Sequence, residues 1–328
     1  MDERGLPGKG EPLEAIFISG GSSNEIFEIR RGEHHVALRR PPRVVPEGRN
    51  KTMLREYRVL EALNGTDVPH PEAIAVCDDE RVIGACFYLM GHVDGWSPMG
   101  MGDRWPEPFD GDLKTRHGLG IQLVDGIARL ARVDWRGRGL EGFGKPDGFL
   151  ERQADRWISQ YETLKVRDLE GVDAVADWLR ANTPSVYEPG IIHGDYQFAN
   201  VMYQHGAPAR LAAIVDWEMA TVGDPLLDLG WVIQGWPEEG ADMSGAGYVP
   251  MEGMPQRSEL LAHYADVSGR PTTEIAYYEI LAGFKLAIVL EGQYSRFKSG
   301  KLDNPKIEAF GDIVPGLMLN AAAKALCS

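Results

Sequence analysis

The sequence predicts an α/β (α+β) protein in two lobes: a small antiparallel-sheet lobe over residues 1–90 and a larger, helical lobe over residues 91–328. Three observations point there. Short runs of alternating apolar residues, separated by turn residues, fill the chain to about residue 40. From about residue 113 onward the apolar residues recur at spacings of three and four, the period of helices with one buried face. And a chain of 328 residues can build two packed bodies around a cleft.

Composition excludes several classes. A formal net charge of −15 repels nucleic acid unless the bases cluster sharply, and the most basic stretch, Arg39-Arg40-Pro41-Pro42-Arg43, is short. No apolar run is long enough to span a bilayer, and the opening MDERGLPGKGEPLE has no apolar core of a secretion signal. Cys77, Cys86 and Cys327 are few, odd in number and not spaced as metal ligands, which fits a reducing cytoplasm without structural disulfides.

In order, Ile16 and Ile18 alternate into a turn, Ser19 to Asn24, and Ile26, Phe27 and Ile29 lead out of it. Gly32 and Glu33 turn the chain again into Val36-Ala37-Leu38-Arg39. Residues 52–63 read as a helix in which Met53, Tyr57 and Leu60 form an inward stripe, and Glu56 shares that face. A carboxylate on a buried stripe needs a partner. Residues 82–93 read as two strands, and residues 94–112 as an irregular insert. Helices follow: one over 113–133 with Leu123, Val124, Ile127, Leu130 and Ala131 inward; one after Asp147, read as its cap, with Leu150, Ala154, Trp157, Ile158 and Tyr161 on a face; and one with Val172, Val175, Ala176 and Leu179. Strand-like pieces at 190–193, 201–203 and 211–215 precede a helix start at Asp224-Pro225. A second irregular stretch covers 234–254. Helices near 258–267, 273–297 and from Pro305 onward end the chain.

The chemistry concentrates in IIHGDYQFANVMY, residues 191–203. His193-Gly194-Asp195 is followed by Asn200, five positions after Asp195, and by Asp216 at the end of the apolar run LAAIVDWE. This is the spacing of a phosphoryl-transfer site. Asp195 would orient a hydroxyl and accept its proton, while Asn200 and Asp216 would hold Mg2+ through hard oxygens. His193 reads as a loop histidine holding backbone rather than as a base, and Glu218 as an auxiliary ligand or a bystander.

H-G-D-x-x-x-x-N followed by a buried I-V-D-W-E resembles the aminoglycoside phosphotransferase and choline kinase-like family. Gly194, where protein kinases carry Arg, and Trp217-Glu218, where they carry Gly, set the chain apart from them. The resemblance runs from about residue 16 to 236. It implies a bilobal protein-kinase-like fold with ATP and Mg2+ between the lobes. Gly20, Gly21, Ser22, Ser23 and Asn24 would then cover the phosphates. Arg39 would stand where most relatives have Lys, pairing with Glu56 and touching phosphate, and backbone from Met90 to His92 would bond the adenine. Asp224 and Asp228, in G-D-P-x-x-D-L, would brace the catalytic loop. The phrases LRRPP, MLREYRVLEAL, FGKPDGFLERQADRWISQY and GDPLLDLGW look like the kinase-like proteins related to the domain fused to some acyl-CoA dehydrogenases. The expected activity is phosphate transfer from ATP to a hydroxyl of a small molecule, a hydroxyacyl compound being the choice that this subgroup implies. An aminoglycoside 3'-type phosphotransferase, a non-catalytic nucleotide-binding scaffold and a metal-dependent hydrolase are the alternatives. No nucleic acid or membrane partner is expected. Trp96, Met99, Met101, Trp105, Phe109, Trp236, Tyr248, Met251 and Met254, in the two irregular stretches, are expected to line the acceptor pocket.

Overall fold

The computed structural model describes residues 2, 5–20, 24–99, 104–243 and 249–327, with backbone alone at 19 and 20. The expected two-lobed α+β architecture is what it shows. In the small lobe β1 (Glu14–Gly20), β2 (Glu25–Arg31) and β3 (His34–Arg40) form a meander. β4 (Ala73–Cys77) and β5 (Phe87–Gly91) complete an antiparallel sheet of order β1-β2-β3-β5-β4. The strand pair expected within 82–93 is corrected. Only Phe87–Gly91 is extended there, while Val82 and Ile83 are exposed in turns closed by Gly84 at φ 84°. A short apolar run does not by itself distinguish a strand from a turn. The partners of β5 are β3 and β4, both formed by residues upstream of that run.

Between β3 and β4 lies α1 (Arg49–Leu63), entered through Gly48 in the left-handed conformation. Met53, Glu56 and Leu60 are buried, as the spacing predicts; Tyr57 of that stripe is half-buried, and Val59 and Leu63 are buried as well. Its outer arginines reach the large lobe. Arg55 donates to the carbonyls of Phe143 (2.9 Å) and Ala220 (3.1 Å), and Arg58 to those of Gly139 (2.6 Å) and Glu141 (2.8 Å). Carbonyls at turns have few other partners, so these bonds fix the helix across the seam.

The large lobe is built from α2 (Leu113–Ala131), α3 (Gln153–Leu164), α4 (Val172–Ala181), α5 (Leu226–Gln234), α6 (Arg257–Ser268), α7 (Ile275–Lys298) and α8 (Phe310–Cys327). Two small antiparallel pairs sit among them: β6 (Gly190–Ile192) with β9 (Thr221–Gly223), and β7 (Val201–Tyr203) with β8 (Leu211–Ile214). Asp112 caps α2, accepting from the amide of Lys114 at 2.9 Å. Asp147 is not a cap: the chain turns through Gly148 at φ 61°, and α3 begins only at Gln153. Among the described residues no helix is long and apolar enough to cross a membrane.

Helix α5 is buried almost all round, because it runs between the segment that follows β6 and α7. The two helices meet at Gly230, where a Cβ would lie 2.6 Å from both the carbonyl carbon and the Cβ of Tyr278. Close-packed interiors do not yield that space. Gly230→Ala is therefore expected to lower stability by about 1–3 kcal/mol in urea unfolding. Gly283→Ala in α7, where a Cβ would meet Ala321 at an ordinary 3.6 Å, is expected to be neutral or to gain up to about 1 kcal/mol. Equal effects of the two would refute the tight crossing.

Candidate active site

β6 delivers the chain to His193, which is fully buried. Its Nε2 lies 2.9 Å from the carbonyl of Val215, and a carbonyl only accepts, so Nε2 carries the proton. Nδ1 is then an acceptor and faces the amide of Asp195 at 3.4 Å. The imidazole thus ties the loop before Asp195 to the residue before Asp216. That matches the structural role expected of it. The indole of Trp217 meets the ring edge-on at 4.9 Å. Next, Gly194 has φ 88°, and a Cβ there would stand 2.6 Å from the carbonyl oxygen of Met219. Glycine is required on both counts.

Two amides of this turn donate to one carboxylate. His193 N lies 2.6 Å and Gly194 N 2.9 Å from the two oxygens of Asp228, near the start of α5. The bracing expected of Asp228 is present. Asp224 contacts the helix instead, accepting from Leu226 N at 3.0 Å and from the Tyr278 hydroxyl. Burial pushes Asp228 up to about 6, against the pull of those two amides. Burial also raises Asp195, offset in part by Lys285 and Asn200.

Beyond Asp195, two tyrosines seat the segment on α2: Tyr196 donates to the Leu123 carbonyl (2.6 Å) and Tyr203 to that of Leu119 (2.7 Å). The Asn200 amide nitrogen lies 2.7 Å from the Asp195 carbonyl and 3.0 Å from its carboxylate. Its oxygen therefore points the other way. Asp216 follows β8 with φ 65°, a left-handed conformation that Asp tolerates better than most residues. Its side chain is 39% exposed. Asn200 and Asp216 both face one cavity of about 740 Å³ between the lobes.

Ile18, Ile26, Ala37, Leu60, Met90 and Val215 give that cavity apolar walls, and Asn24 and Arg39 sit at its polar end. Arg39, nearly buried, spans the seam: Nε is 2.8 Å from Glu56 and Nη2 donates to Asp216 at 2.7 Å. Tyr88 donates its hydroxyl to the same Glu56 oxygen at 3.0 Å. Burial pushes Glu56 up to about 7, and Arg39 and the Tyr88 hydroxyl hold it back. For Arg39 itself burial disfavours the charge, and Glu56 and Asp216 more than restore it.

The structure thus brings Asp195, Asn200, Asp216, Arg39 and Glu56 together. Met90 and His92 line the cavity, as do Ile18 and Asn24; Gly20 ends β1, and Gly21, Ser22 and Ser23 lie outside the described residues. Glu218 pairs with Arg49 at 3.0 Å. The expectation for the insert aromatics is corrected. Trp96, Trp105, Phe109, Trp236, Met251 and Met254 are buried, with Trp96 packed on Trp105, Phe109 and Tyr203 at 5.5–5.8 Å between ring centres. They form a floor beneath the loop, because Trp96 exchanges backbone bonds with Tyr203 at 2.9 and 2.8 Å. Met99 is exposed, and Met101 and Tyr248 lie outside the described residues. Sequence reasoning missed Lys285, whose ammonium reaches the Gly194 carbonyl at 2.6 Å. Among the described residues one other group, Glu28, His35 and His92, gathers metal-type side chains. Its imidazoles stack face to face at 3.7 Å, Glu28 is engaged by Arg30 and His35, and it shares no residue with the Asp195 cluster.

The buried imidazole gives a pH signature. Burial pushes His193 down to about 4, against about 6.5 when unfolded. As pH falls below 6.5 the unfolded chain takes up the proton first, so this contribution is complete above 6.5 and is lost toward 4. The stability deficit of His193→Asn is expected to shrink by roughly 3 kcal/mol between pH 6.5 and 4. A deficit independent of pH in denaturant titrations would contradict a neutral, bridging imidazole.

Comparison with known proteins gives the same placement. The profile of the phosphotransferase enzyme family matches residues 14–263. The chain is 31% identical to acyl-CoA dehydrogenase family member 11 of Gallus gallus over 96% of its own length, and 29% identical to the Homo sapiens protein over 95%. It spans about 40% of the length of these relatives. A crystal structure from Ralstonia eutropha, provisionally assigned as an aminoglycoside phosphotransferase, superposes with a TM-score of 0.83 at 28% identity, covering 98% of this chain and 95% of that one. Two more distant structures share the fold. One is the aminoglycoside phosphotransferase APH(4)-Ia in complex with ADP and hygromycin B, with a TM-score of 0.59 at 13% identity over 95% and 94% of the two chains. The other is an ethanolamine kinase of Plasmodium vivax, with a TM-score of 0.61 at 10% identity over 98% and 85%. With a profile that covers most of the chain and a superposition along nearly all of it, this protein belongs to the phosphotransferase enzyme family.

Proposed function

We propose that the protein transfers the γ-phosphate of ATP, with Mg2+, to a hydroxyl of a small molecule. The observation that carries this is that Asn200, Asp216 and Arg39 line one cavity and that Asn200 holds the Asp195 carboxylate at 3.0 Å. The donor set suits a hard cation: one carboxylate and one amide oxygen face the cavity, and Mg2+ keeps its remaining positions for water and phosphate. Asn200 and Asp216 are the residues that would hold it, and what the ion supplies is compensation of phosphate charge. The apolar walls suit a nucleobase, with backbone at Met90 to His92 along its edge, and Arg39 lies where phosphate oxygens would arrive. Gly20, Gly21, Ser22, Ser23 and Asn24 would close over them. Asp195 is held by Asn200 and Gln197, with its amide on His193, and it accepts the proton of the acceptor hydroxyl as that oxygen displaces the nucleoside diphosphate from phosphorus. A solved fold-mate containing ADP and hygromycin B is compatible with a nucleotide and a hydroxylated acceptor meeting in this architecture.

Asp195→Asn keeps the shape and removes the base. Turnover is expected to fall on the order of a hundredfold or more while nucleotide still binds. Asp216→Ala is expected to abolish Mg2+-dependent nucleotide binding measured by calorimetry. Wild-type turnover in the first variant, or wild-type affinity in the second, would move the site elsewhere.

For the acceptor we favour a hydroxyacyl compound, because curated relatives join this type of chain to a protein named for acyl-CoA dehydrogenation. Phosphate transfer to hydroxyacyl thioesters, amino alcohols and aminoglycosides should be measured side by side, with turnover expected on the first. Efficient transfer to aminoglycosides alone would assign the protein to antibiotic modification. No nucleotide turnover with any acceptor would favour a nucleotide-binding scaffold.

A further inference from the structure

Lys285 lies midway along α7, between the buried residues Leu281, Phe284 and Ile288, and is itself 7% exposed. A lysine in such company is costly unless its ammonium is satisfied. Nζ donates to the Gly194 carbonyl at 2.6 Å. Two indoles flank it, Trp231 of α5 at 4.5 Å and Trp157 of α3 at 5.7 Å from their ring centres, and each presents a negative face to the cation. The charged groups that face it are Asp195 in the loop, Asp228 on α5 and Arg156 on α3. Nothing in the chemistry proposed above uses this ammonium.

Its place matters because of what it bonds. The peptide between Gly194 and Asp195 has two polar ends. The carbonyl takes Lys285, and the amide faces Nδ1 of His193 at 3.4 Å. The preceding amides are both spent on Asp228. Gly194 is the residue with the backbone freedom to swing, and Lys285 is the donor that holds its carbonyl. We propose that Lys285 is a positioning residue of the phosphotransfer site: by pinning the Gly194 carbonyl from α7 it fixes where the Asp195 carboxylate points. This rests on the assignment of Asp195 made above. It also gives the ammonium a second effect, since one positive charge stands against the carboxylates of Asp195 and Asp228 in a place that water scarcely reaches. Burial pulls this ammonium down to about 8, against the pull of those two carboxylates, so it loses its charge within the range where activity is measured.

The experiment compares Lys285→Met and Lys285→Arg in the full chain. Hydrogen exchange over residues 191–203 needs no substrate. It is expected to rise by about tenfold or more in Lys285→Met, while α2 and α8 keep their protection. Turnover is then followed from pH 6 to 10. Lys285→Met is expected to lose about a hundredfold in kcat with the nucleotide KM within about threefold of wild type, as a misplaced reacting group does. The wild type is expected to decline above pH 8. Lys285→Arg, whose guanidinium stays charged throughout, is expected to recover part of the lost turnover and to show no such decline. Unchanged loop exchange in Lys285→Met, wild-type kcat in that variant, or a decline above pH 8 that persists in Lys285→Arg would each overturn the role. If Lys285→Met does not fold, the pH profile of Lys285→Arg decides. A wild-type protein that turns over no substrate overturns the assignment of Asp195 instead, and the exchange measurement tells that failure from this one.

Discussion

A nearly buried guanidinium between two carboxylates holds the two lobes in register. Arg39 ends β3 in the small lobe, Glu56 belongs to α1, and Asp216 follows β8 in the large lobe. Neither Arg39 nor Glu56 is sustainable alone at that depth, since an unpaired buried ion costs several kcal/mol, and the half-exposed Asp216 adds the second carboxylate to Arg39. Together they satisfy one another, and they do so only while strand, helix and catalytic segment keep their mutual distances. Arg at this position makes geometric sense. A planar fork addresses two carboxylates from separate nitrogens, whereas an ammonium is a single point of charge. Arg49 on Glu218 and Arg55 on the Phe143 and Ala220 carbonyls continue the same seam.

That seam answers only half of the electrostatic problem. Asp195, Asp216 and Asp228 converge on a few residues of backbone, and burial raises both Asp195 and Asp228. The chain meets this with hydrogen-bond donors. Asp228 takes two amides, Asp195 takes Asn200 and Gln197, and Asp216 takes Arg39. His193 stays neutral between them, which adds a bridge without adding a charge. The cations stand at opposite ends of the group, Arg39 beside Asp216 and Lys285 behind Gly194. The arrangement leaves a local excess of negative charge, which suits the divalent cation proposed for this site.

How much of this the residues disclose beforehand depends on how local each feature is. The order and type of most helices follow from spacing, and the cluster of Asp195, Asn200 and Asp216 follows from a short motif whose members lie close in sequence. Glu56 was legible because a carboxylate on an apolar helical stripe demands a partner. The same reasoning applied to Lys285, set between Leu281, Phe284 and Ile288, points to a buried ammonium. What it does not disclose is the partner, because Gly194 lies 91 positions away and offers only a carbonyl. β4 was missed and a strand at Val82 was expected for one reason: a short apolar run carries no period long enough to separate strand from turn, and the left-handed Gly84 decided the matter. The aromatic residues of the insert misled in a different way. Gly, Pro, Trp and Met together read as an irregular insert lining a pocket, yet the backbone bridge from Trp96 to Tyr203 and the packing of Trp96 on Trp105 and Phe109 place those rings under the loop.

Two left-handed residues, Gly194 and Asp216, stand on either side of the buried imidazole. A non-glycine residue at positive φ costs on the order of 1 kcal/mol and persists only where its surroundings impose it. For Asp216 the imposition is visible: the carbonyl before it accepts from His193, and its own carboxylate accepts from Arg39. For Gly194 it is the Asp228 carboxylate on one side and the Lys285 ammonium on the other. His193 joins the two, so neither turn can relax without disturbing the other. Local strain at the cleft is thus held by helices α5 and α7, whose own close approach at Gly230 leaves no slack. The packing of an apolar helix pair some way behind the loop therefore sets where Asp195 and Asp216 stand before any substrate arrives, which is the preorganisation that phosphoryl transfer demands.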